Sequence, residues 1–360
     1  MECVAITSHM KILHVVGARP NFPKLAPVHR AGVDAGVEQV VVHTGQHYDD
    51  ALSASFFRDL GIREPDINLE VGSLSHAAQT ARIMERFEPV ILEQRPDWVV
   101  VYGDVNSTAA AALVAAKLST RIAHVEAGLR SNDRSMPEEI NRLVTDRLAN
   151  LLLAPSHDAI DNLKREGEPD EEIAFVGNVM IDTLCYSLEQ ARQTGFRESL
   201  GVGHDAVVVT LHRPSNVDDP ARLAAIAEAL RTIADERPVV FAVHPRTTQR
   251  LQSAGISLGK VRVLPPVRYV EMLDLVSGAH AVVTDSGGLQ EETTALGVPC
   301  LTVRENTERP VTITEGTNRL VPNPAELAGA VRAVERQTHP KRPDGWDGHA
   351  GERVISALCR

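Results

Sequence analysis

The sequence predicts an α/β protein made of two doubly wound domains, in which helices cover both faces of parallel sheets. Its 360 residues exceed one ordinary core and suit two domains. Short apolar runs alternate with segments of helical length almost to the C-terminus, which is typical of repeated βαβ units. Hydrophobic residues make up 43% of the chain but aromatic residues only 4%. The core is therefore expected to be aliphatic, as in buried parallel strands.

The predicted strands are apolar runs, and there are about ten of them. They lie at residues 12–16, 40–43, 98–102, 122–125, 151–154, 173–176, 207–211, 239–243, 261–264 and 281–284. Ten strands are many for one open sheet, so we expect two sheets. A helix is predicted at residues 179–200, at the start of the second series of strands.

The domain boundary is expected near Gly177. We assign residues 10–177 to the first domain, 178–338 to the second, and 339–360 to a tail whose helix could pack on the first domain. Residues 1–9 are expected to be a cloning remnant or an extended start.

Composition and charge limit the partners that we expect. The net charge is −11, which argues against binding to nucleic acid or to an anionic membrane. The four cysteines, Cys3, Cys185, Cys300 and Cys359, are far apart in sequence, which argues against a disulfide framework and a zinc site. No apolar run has the ~18–20 residues of a membrane span, and the first ten residues do not resemble a signal peptide. We therefore expect a cytoplasmic protein.

The first strand ends in a candidate anion site. Gly17 permits a tight turn, and Arg19 and Lys24 follow at the start of a helix, where backbone N–H groups favour anions. Ordinary surface cations near a turn are an equally good interpretation. The second strand runs into a polar, glycine-broken segment that contains Gln46, which indicates little by itself.

Two later strands of the first half end in acidic residues. Asp104 follows residues 98–102 and is either functional or the N-cap of the next helix. Glu126 follows residues 122–125, and a carboxylate at that place is costly to bury unless it is paired or used. A structural ion pair with Arg130 is the alternative to a functional role.

A third acidic candidate, Glu138, lies at the start of a predicted helix. Its spacing from Ser135 fits a capping box, Pro137 suits a first helical turn, and Arg142 is four residues further on. These local roles explain much of the segment without catalysis.

The second half has polar residues after three of its strands, which predicts a phosphate site. The glycines after Ser286 would let backbone amides at a helix N-terminus approach a phosphate. The candidates are His212, Arg213, His244, Ser286, Gly287, Gly288, Arg304 and Arg309.

Taken together, these segments resemble the non-hydrolysing UDP-N-acetylglucosamine 2-epimerases. Eight motifs of that family occur in order between Gly17 and Pro310, so the resemblance covers nearly the whole chain. They are G-x-R-P-x-x-x-K, H-T-G-Q-H, G-D-x-x-S-T, H-V-E-A-G-L-R, P-E-E-x-N-R, H-R, D-S-G-G-x-Q-E-E and T-E-R-P.

The resemblance implies a GT-B architecture, with two Rossmann-like domains facing a central cleft, and a homodimer. It implies reversible conversion of UDP-N-acetylglucosamine to UDP-N-acetylmannosamine. The expected path is anti elimination to UDP and 2-acetamidoglucal, then re-addition after C2 is reprotonated on the other face. Neither a metal nor NAD is expected.

The resemblance also implies roles for individual residues. It implies Asp104, Glu126, Glu138, Lys24 and His212 as catalytic residues. It implies UDP-sugar binding by Arg19, Arg142, Arg213, His244, Ser286, Gly287, Gly288, Glu292 and Arg309. Gln46 matches a position of the allosteric site of bacterial members. Which carboxylate serves which face of C2 stays open.

Three departures from the common family pattern leave alternatives open. Asn21, Ser215 and Val311 stand where acidic residues are common in the family, which is compatible with a modified sugar of the 2,3-diacetamido type. A hydrolysing epimerase and a GT-B glycosyltransferase are further alternatives. A non-catalytic nucleotide-sugar sensor is disfavoured because all three candidate carboxylates are intact.

Overall fold

A computed structural model describes residues 10–17, 21–45, 57, 59–336 and 342–360. The chain forms two compact units. Unit 1 comprises Met1–Tyr186 and Asp344–Arg360, and unit 2 comprises Ser187–Pro343.

Unit 1 contains a parallel sheet of seven strands in the order β3-β2-β1-β4-β5-β6-β7. The strands are β1 (Lys11–Val16), β2 (Glu38–His43), β3 (Ile67–Asn68), β4 (Trp98–Tyr102), β5 (Arg121–Val125), β6 (Leu151–Ala154) and β7 (Ile173–Phe175). The register pairs Leu13 of β1 with Val40 on one side and Val99 on the other. The central strands are almost wholly buried, because helices cover the sheet.

The helices of unit 1 connect and cover these strands. They are α1 (Phe22–Asp34), α2 (His76–Gln94), α3 (Asn106–Lys117), α4 (Pro137–Leu148), α5 (His157–Glu166), α6 (Val179–Gln193) and, near the C-terminus, α15 (Ala350–Leu358). The chain passes into unit 2 within α6.

Unit 2 repeats the arrangement with six parallel strands in the order β10-β9-β8-β11-β12-β13. The strands are β8 (Val207–Thr210), β9 (Val239–Ala242), β10 (Arg262–Leu264), β11 (Ala281–Thr284), β12 (Cys300–Thr302) and β13 (Asn318–Leu320). Its helices are α7 (Phe196–Ser199), α8 (Pro214–Val217), α9 (Pro220–Ala234), α10 (Pro245–Ser253), α11 (Tyr269–Ser277), α12 (Gly287–Leu296), α13 (Val311–Thr314) and α14 (Leu327–Ala333).

The prediction of an α/β chain with two parallel, helix-covered sheets is confirmed. Each expected strand is present, but β3, β12 and β13, which have two or three residues each, were not predicted. The single helix expected at residues 179–200 is wrong. It is divided into α6 and α7, and Gly195 between them has a φ of +55°, a conformation that an α-helix does not contain.

The C-terminal helix is held to the rest of unit 1 by buried hydrogen bonds. The Asp182 carboxylate accepts from the backbone N–H groups of Ala350 and Gly351 at 3.1 and 2.8 Å, which are at the start of α15. The indole of Trp98 donates to the Leu358 carbonyl at 3.1 Å. No helix in the described part of the chain is long and apolar enough to cross a membrane.

The strand order determines where the loops after β1, β4, β8 and β11 lie. In unit 1 the order reverses between β1 and β4, and in unit 2 between β8 and β11. Ligands of doubly wound sheets bind outside the carboxyl ends of the strands at such a reversal. Gly17 and Asp104 follow the first pair of strands, and Leu211 and Asp285 the second. The residues that follow these strands therefore lie at the edge of each sheet where ligands of such folds bind.

Candidate active site

A buried ion pair lies at the carboxyl edge of the unit 1 sheet. The ammonium of Lys24 in α1 donates to Oε2 of Glu126, which directly follows β5. Only 7% of Lys24 and 3% of Glu126 is exposed. Oε1 of Glu126 is buried and has no hydrogen-bond partner among the described residues. One oxygen of this carboxylate is thus held by a cation while the other is left for a further donor.

Glu126 has an unusual backbone conformation. Its φ is +70°, in a region that non-glycine residues adopt infrequently and that costs on the order of 1–3 kcal/mol.

The ion pair between Glu126 and Arg130, which was the structural alternative to a functional role for Glu126, is wrong. The Arg130 guanidinium lies 2.7 Å from Asp146 and 2.6 Å from Glu166, so Glu126 is not needed to neutralise it.

Gly103 packs directly against this ion pair. Its φ is +64°, and a Cβ at this position would lie 2.6 Å from Nζ of Lys24 and 3.4 Å from Oε2 of Glu126. A side chain here would displace the ammonium. Asn21 secures the neighbouring turn, because it accepts from the Gly17 N–H at 3.1 Å and donates to the Tyr102 carbonyl at 2.9 Å.

The carboxylate of Asp104 pairs with the guanidinium of Arg142 in α4 and is 28% exposed. The alternative role as an N-cap is wrong, since the N-cap of α3 is Val105 and no side chain caps that helix. Asn141 donates to the Asp104 carbonyl at 2.9 Å. The structure therefore unites Asp104 and Arg142, which are two of the candidates from the sequence.

Glu138 has an exposed side chain that makes no hydrogen bond or ion pair with the described residues. Two expectations about it are wrong. The N-cap of α4 is Met136, without a side-chain cap, so no capping box forms with Ser135. Arg142 pairs with Glu139 at 2.8 Å and not with Glu138, because α4 is turned so that Glu139 is buried. A catalytic role for Glu138 stays a prediction. Arg19 and Gln46 lie outside the described residues.

The edge of unit 2 is organised around the buried carboxylate of Asp285, which follows β11. It accepts from the backbone N–H groups of His212 at 3.1 Å and Arg213 at 3.0 Å, and from the Asn216 amide at 3.0 Å. Nδ1 of His212 lies 3.0 Å from Oδ1. Burial alone would raise the pKa of Asp285, but the hydrogen bond and charge of His212, with the Asn216 and Arg213 donors, hold it below its usual value. Asp285 thus fixes the turn that carries His212 and Arg213.

Three arginines surround the buried carboxylate of Glu308. Arg304 lies 2.8 Å from it, Arg309 2.5 Å and Arg213 3.6 Å. Nε of Arg309 is also 2.8 Å from Glu291. The cluster concentrates positive charge beside the α12 N-terminus, where a Cβ on Gly287 would lie 2.4 Å from the Arg309 guanidinium.

The remaining candidates of unit 2 surround this edge. Ser286 is the N-cap of α12, and it and the two following glycines are half-buried. His244 is the exposed N-cap of α10, and its ring centroid lies 6.3 Å from that of His212. Backbone N–H groups, histidines and guanidinium groups together suit an anionic ligand.

Glu292, on α12, is 5% exposed and accepts from the Tyr269 hydroxyl at 3.0 Å. Burial raises its pKa to about 7, and the neighbouring Glu291 adds to the effect. At neutral pH this carboxyl group is therefore divided between its charged and neutral forms.

Replacing Glu292 with Gln is expected to stabilise unit 2 at pH 8. A carboxyl group whose pKa is raised on folding favours the folded state at low pH, and this contribution falls as pH rises from about 4.5 to about 7. The variant keeps the Tyr269 bond without the buried charge, so we expect a gain on the order of 3 kcal/mol at pH 8 and little difference at pH 4.5. Denaturant unfolding at both pH values tests this, with the exposed Glu315→Gln as control. Equal differences at the two pH values would contradict it.

Sequence reasoning did not single out Asp285, Glu308, Asp146 and His124 as site residues. Asp285 and Glu308 lie inside motifs that were recognised, and Asp285 is a charged residue directly after the apolar strand β11, which was an available signal. His124 interrupts the apolar strand β5. In the described part of the chain, no group of three or more His, Cys, Asp or Glu residues could hold a metal ion.

Comparisons with known proteins find relatives that match nearly the whole chain. The family model for UDP-N-acetylglucosamine 2-epimerase matches residues 29–359. The UDP-N-acetylglucosamine 2-epimerase of Methanocaldococcus jannaschii is 41% identical over 97% of this chain and 99% of its own length. A crystal structure of the M. jannaschii enzyme in complex with UDP-N-acetylglucosamine and UDP has a TM-score of 0.89 at 40% identity, covering 97% of this chain and 99% of the other. The UDP-2,3-diacetamido-2,3-dideoxy-D-glucuronate 2-epimerase of Pseudomonas aeruginosa is 44% identical over 87% of this chain and 88% of its own length.

Proposed function

This chain belongs to the UDP-N-acetylglucosamine 2-epimerase family, and on that premise we propose that it interconverts UDP-N-acetylglucosamine and UDP-N-acetylmannosamine by elimination and re-addition. Its two Rossmann-like units are those of the GT-B type of fold. The observation that carries the proposed chemistry is the Glu126 carboxylate, which is buried, held on one oxygen by Lys24 and unpartnered on the other among the described residues.

Unit 1 supplies the acid–base residues of the proposed reaction. A base removes the proton from C2 while the C1–O bond breaks, so that the electron pair forms the C1–C2 double bond of 2-acetamidoglucal and UDP leaves. Return of a proton to the other face of C2, with re-addition of UDP at C1, gives the epimer. The C2 proton becomes acidic as C1 gains oxocarbenium character, which a carboxylate base can exploit. Glu126, Asp104 and Glu138 are the proposed acid–base residues, and their division between the two faces stays open.

Unit 2 supplies the binding of the diphosphate, on which negative charge grows as UDP leaves. His212, Arg213 and Arg309 are proposed to stabilise that charge together with the amides of Ser286, Gly287 and Gly288. Arg309 lies against Glu291 and Glu308, so a diphosphate would compete with these carboxylates for its guanidinium. His244 and Glu292 are proposed nucleotide contacts. Arg19, Lys24 and Arg142 are proposed contacts of the sugar and phosphates from unit 1.

The first test is proton NMR of UDP-N-acetylglucosamine incubated with the protein in D2O. We expect UDP-N-acetylmannosamine to appear with deuterium at C2, because the abstracted proton exchanges with solvent before it returns. Free N-acetylmannosamine would show a hydrolysing epimerase. The absence of both products at millimolar UDP-N-acetylglucosamine, with no deuterium at C2, would contradict the proposal.

A second candidate substrate is a UDP-2,3-diacetamido sugar. The P. aeruginosa relative is named for such a substrate, and Asn21, Ser215 and Val311 replace acidic residues that are common in the family. Asn21 is fixed by its bonds to Gly17 and Tyr102, so its side chain belongs to the turn after β1. A comparison of kcat/KM for both UDP sugars decides between the substrates, and the higher value identifies the preferred one.

The family resemblance also supports a homodimer that acts in the cytoplasm, and a reaction that uses neither a metal nor a nicotinamide. Allosteric activation by UDP-N-acetylglucosamine through Gln46 remains part of the proposal.

A further inference from the structure

Helix α4 buries an unusual face. Its buried residues are Glu139, Arg142, Thr145 and Asp146, while Ile140 is 38% exposed. Surface helices of globular proteins normally bury an apolar stripe and expose their charges. Buried charges stabilise a fold less well than apolar side chains of similar volume, so this polar face calls for a role other than packing.

One contact of this face reaches the Asp104 side chain directly. Arg142 pairs with the carboxylate of Asp104 and with Glu139. Glu139 in turn accepts from the backbone N–H groups of Ser131 and Asn132 at 3.0 and 2.9 Å. The guanidinium that meets Asp104 is therefore held in place by a carboxylate that is itself fixed.

A second contact reaches Gly103, the residue before Asp104, through the side chain of His124. Asp146 lies one turn after Arg142, and its Oδ1 is 2.6 Å from Nδ1 of His124 in β5. Nε2 of the same ring is 2.8 Å from the carbonyl oxygen of Gly103. His124 is fully buried and Asp146 is 1% exposed.

The partners determine where the hydrogens of His124 lie. A carbonyl oxygen only accepts, so Nε2 carries a hydrogen. Asp146 also accepts from the Gly128 N–H at 3.1 Å and pairs with Arg130 at 2.7 Å. Burial alone would raise the pKa of Asp146, but His124 and Arg130 hold it below its usual value. The ring, which donates from Nε2 to Gly103 and faces Asp146 with Nδ1, bridges α4 to the turn after β4.

That turn lies at the centre of the proposed chemistry. The Gly103 N–H donates to the Val125 carbonyl at 3.1 Å, and the Gly103 carbonyl accepts from Nε2 of His124. Both peptide groups of Gly103 are therefore tied to β5, the strand that ends at Glu126. Because Gly103 packs against the Lys24–Glu126 pair and precedes Asp104, a shift of this turn would move both carboxylates relative to each other.

We propose that Asp146 and His124 are positioning residues, which hold the Gly103 carbonyl and thereby fix Asp104 and the Lys24–Glu126 pair in their relative places. The proposal rests on the proposed function for its effect on turnover, but its structural part can be measured separately.

The test compares His124→Leu, His124→Gln and Asp146→Asn with the wild type. His124→Leu removes both bonds, and a displacement of about 1 Å at a reacting group can cost about 100-fold in rate. We expect kcat to fall by about 30- to 100-fold while KM and the Kd of UDP change by less than about twofold. Gln can still donate to the Gly103 carbonyl, so His124→Gln should regain at least about tenfold of that loss. Asp146→Asn leaves a neutral ring whose Nε2 can still donate to the Gly103 carbonyl, so its loss should be intermediate, like that of His124→Gln.

The second readout does not depend on activity. Amide hydrogen exchange measured on the folded proteins should become faster in the peptide that covers residues 99–108 of His124→Leu, while peptides of the unit 2 sheet keep wild-type rates. A wild-type kcat for His124→Leu, or a loss that only follows its fraction unfolded, would overturn the proposal, as would unchanged exchange of that peptide. If the wild type did not incorporate deuterium at C2 of the sugar, the proposed function would be refuted. The amide hydrogen exchange of residues 99–108 would then decide by itself whether His124 positions the Gly103 turn.

Discussion

Replacing Glu126 with Gln is expected to lower turnover by about 1,000-fold or more, since a positioned acid–base group contributes roughly 100- to 10,000-fold. Glutamine has nearly the shape of glutamate but cannot take a proton from C2. The affinity for UDP should stay within about twofold of the wild-type value, because most of the proposed diphosphate contacts belong to unit 2 and glutamine can still accept from Lys24. Turnover by NMR in D2O and titration calorimetry with UDP measure the two quantities.

A matched control is Glu168→Gln. Glu168 is also a buried carboxylate of unit 1 with an arginine partner, Arg147 at 2.9 Å, but it is outside the proposed chemistry. The turnover of the Glu168→Gln variant should stay near that of the wild type. If Glu126→Gln retained more than about one tenth of the wild-type kcat, Glu126 would be removed from the mechanism. A loss of UDP affinity along with turnover would point to a distorted fold.

The sequence was sufficient to place Asp104 and Glu126 at the carboxyl edge of the sheet, because both come within two residues of the end of an apolar parallel strand. It was not sufficient to find their partners. Glu126 pairs with Lys24, which is 102 residues away, and not with Arg130 four residues further on. Local spacing favours near neighbours, whereas strand order decides which loops meet.

Helix α4 shows a second limit of sequence reasoning. Glu138 and Glu139 are adjacent, yet successive residues of a helix differ by about 100° in direction. The sequence placed Arg142 with Glu138, and the structure places it with Glu139. An amphipathic pattern would have fixed the phase of the helix, but α4 buries its charges and exposes Ile140, so the usual pattern predicts the wrong face.

In unit 2 the sequence was sufficient to place Ser286 and the two following glycines at the start of a helix, where backbone N–H groups favour an anion. The carboxylates that hold the cations of this edge were harder to recognise. Asp285 and Glu308 act through His212, Arg213 and Arg309, and such contacts depend on the relative placement of three strands.

Replacing Glu308 with Gln is expected to destabilise unit 2 by on the order of 3 kcal/mol at pH 7, since removing one partner of a buried ion pair leaves the others uncompensated. Three guanidinium groups lie within 3.6 Å of this carboxylate. For a domain of this size the loss corresponds to a fall in Tm of roughly 6–12 °C. Thermal unfolding measures it, and the exposed Glu305→Gln is the control for a charge change on the same segment.

The effect should depend on pH with a definite sign. Burial alone would raise the pKa of Glu308, but Arg309, Arg304 and Arg213 outweigh it and hold the pKa well below its usual value. The contribution of such a carboxylate to the free energy of unfolding is fully present above its unfolded-state pKa of about 4.5. It is lost as the pH falls toward the lower pKa of the folded state. The wild type and Glu308→Gln should therefore converge in Tm on acidification below about pH 4.5. A constant difference from pH 7 to pH 3 would show that the loss comes from packing and not from charge.

UDP should restore much of the stability that Glu308→Gln loses. Its diphosphate is proposed to meet Arg213 and Arg309, which are the cations that the variant leaves uncompensated, and a ligand that binds only the folded state raises Tm. Saturating UDP should therefore raise the Tm of Glu308→Gln by more than it raises that of the wild type. The variant should also bind UDP more tightly, because its arginines need not be released from a carboxylate first. An equal rise in both proteins, with equal affinity, would mean that the diphosphate does not reach these guanidinium groups, and Arg309 would then be a structural partner of Glu291 and Glu308 alone.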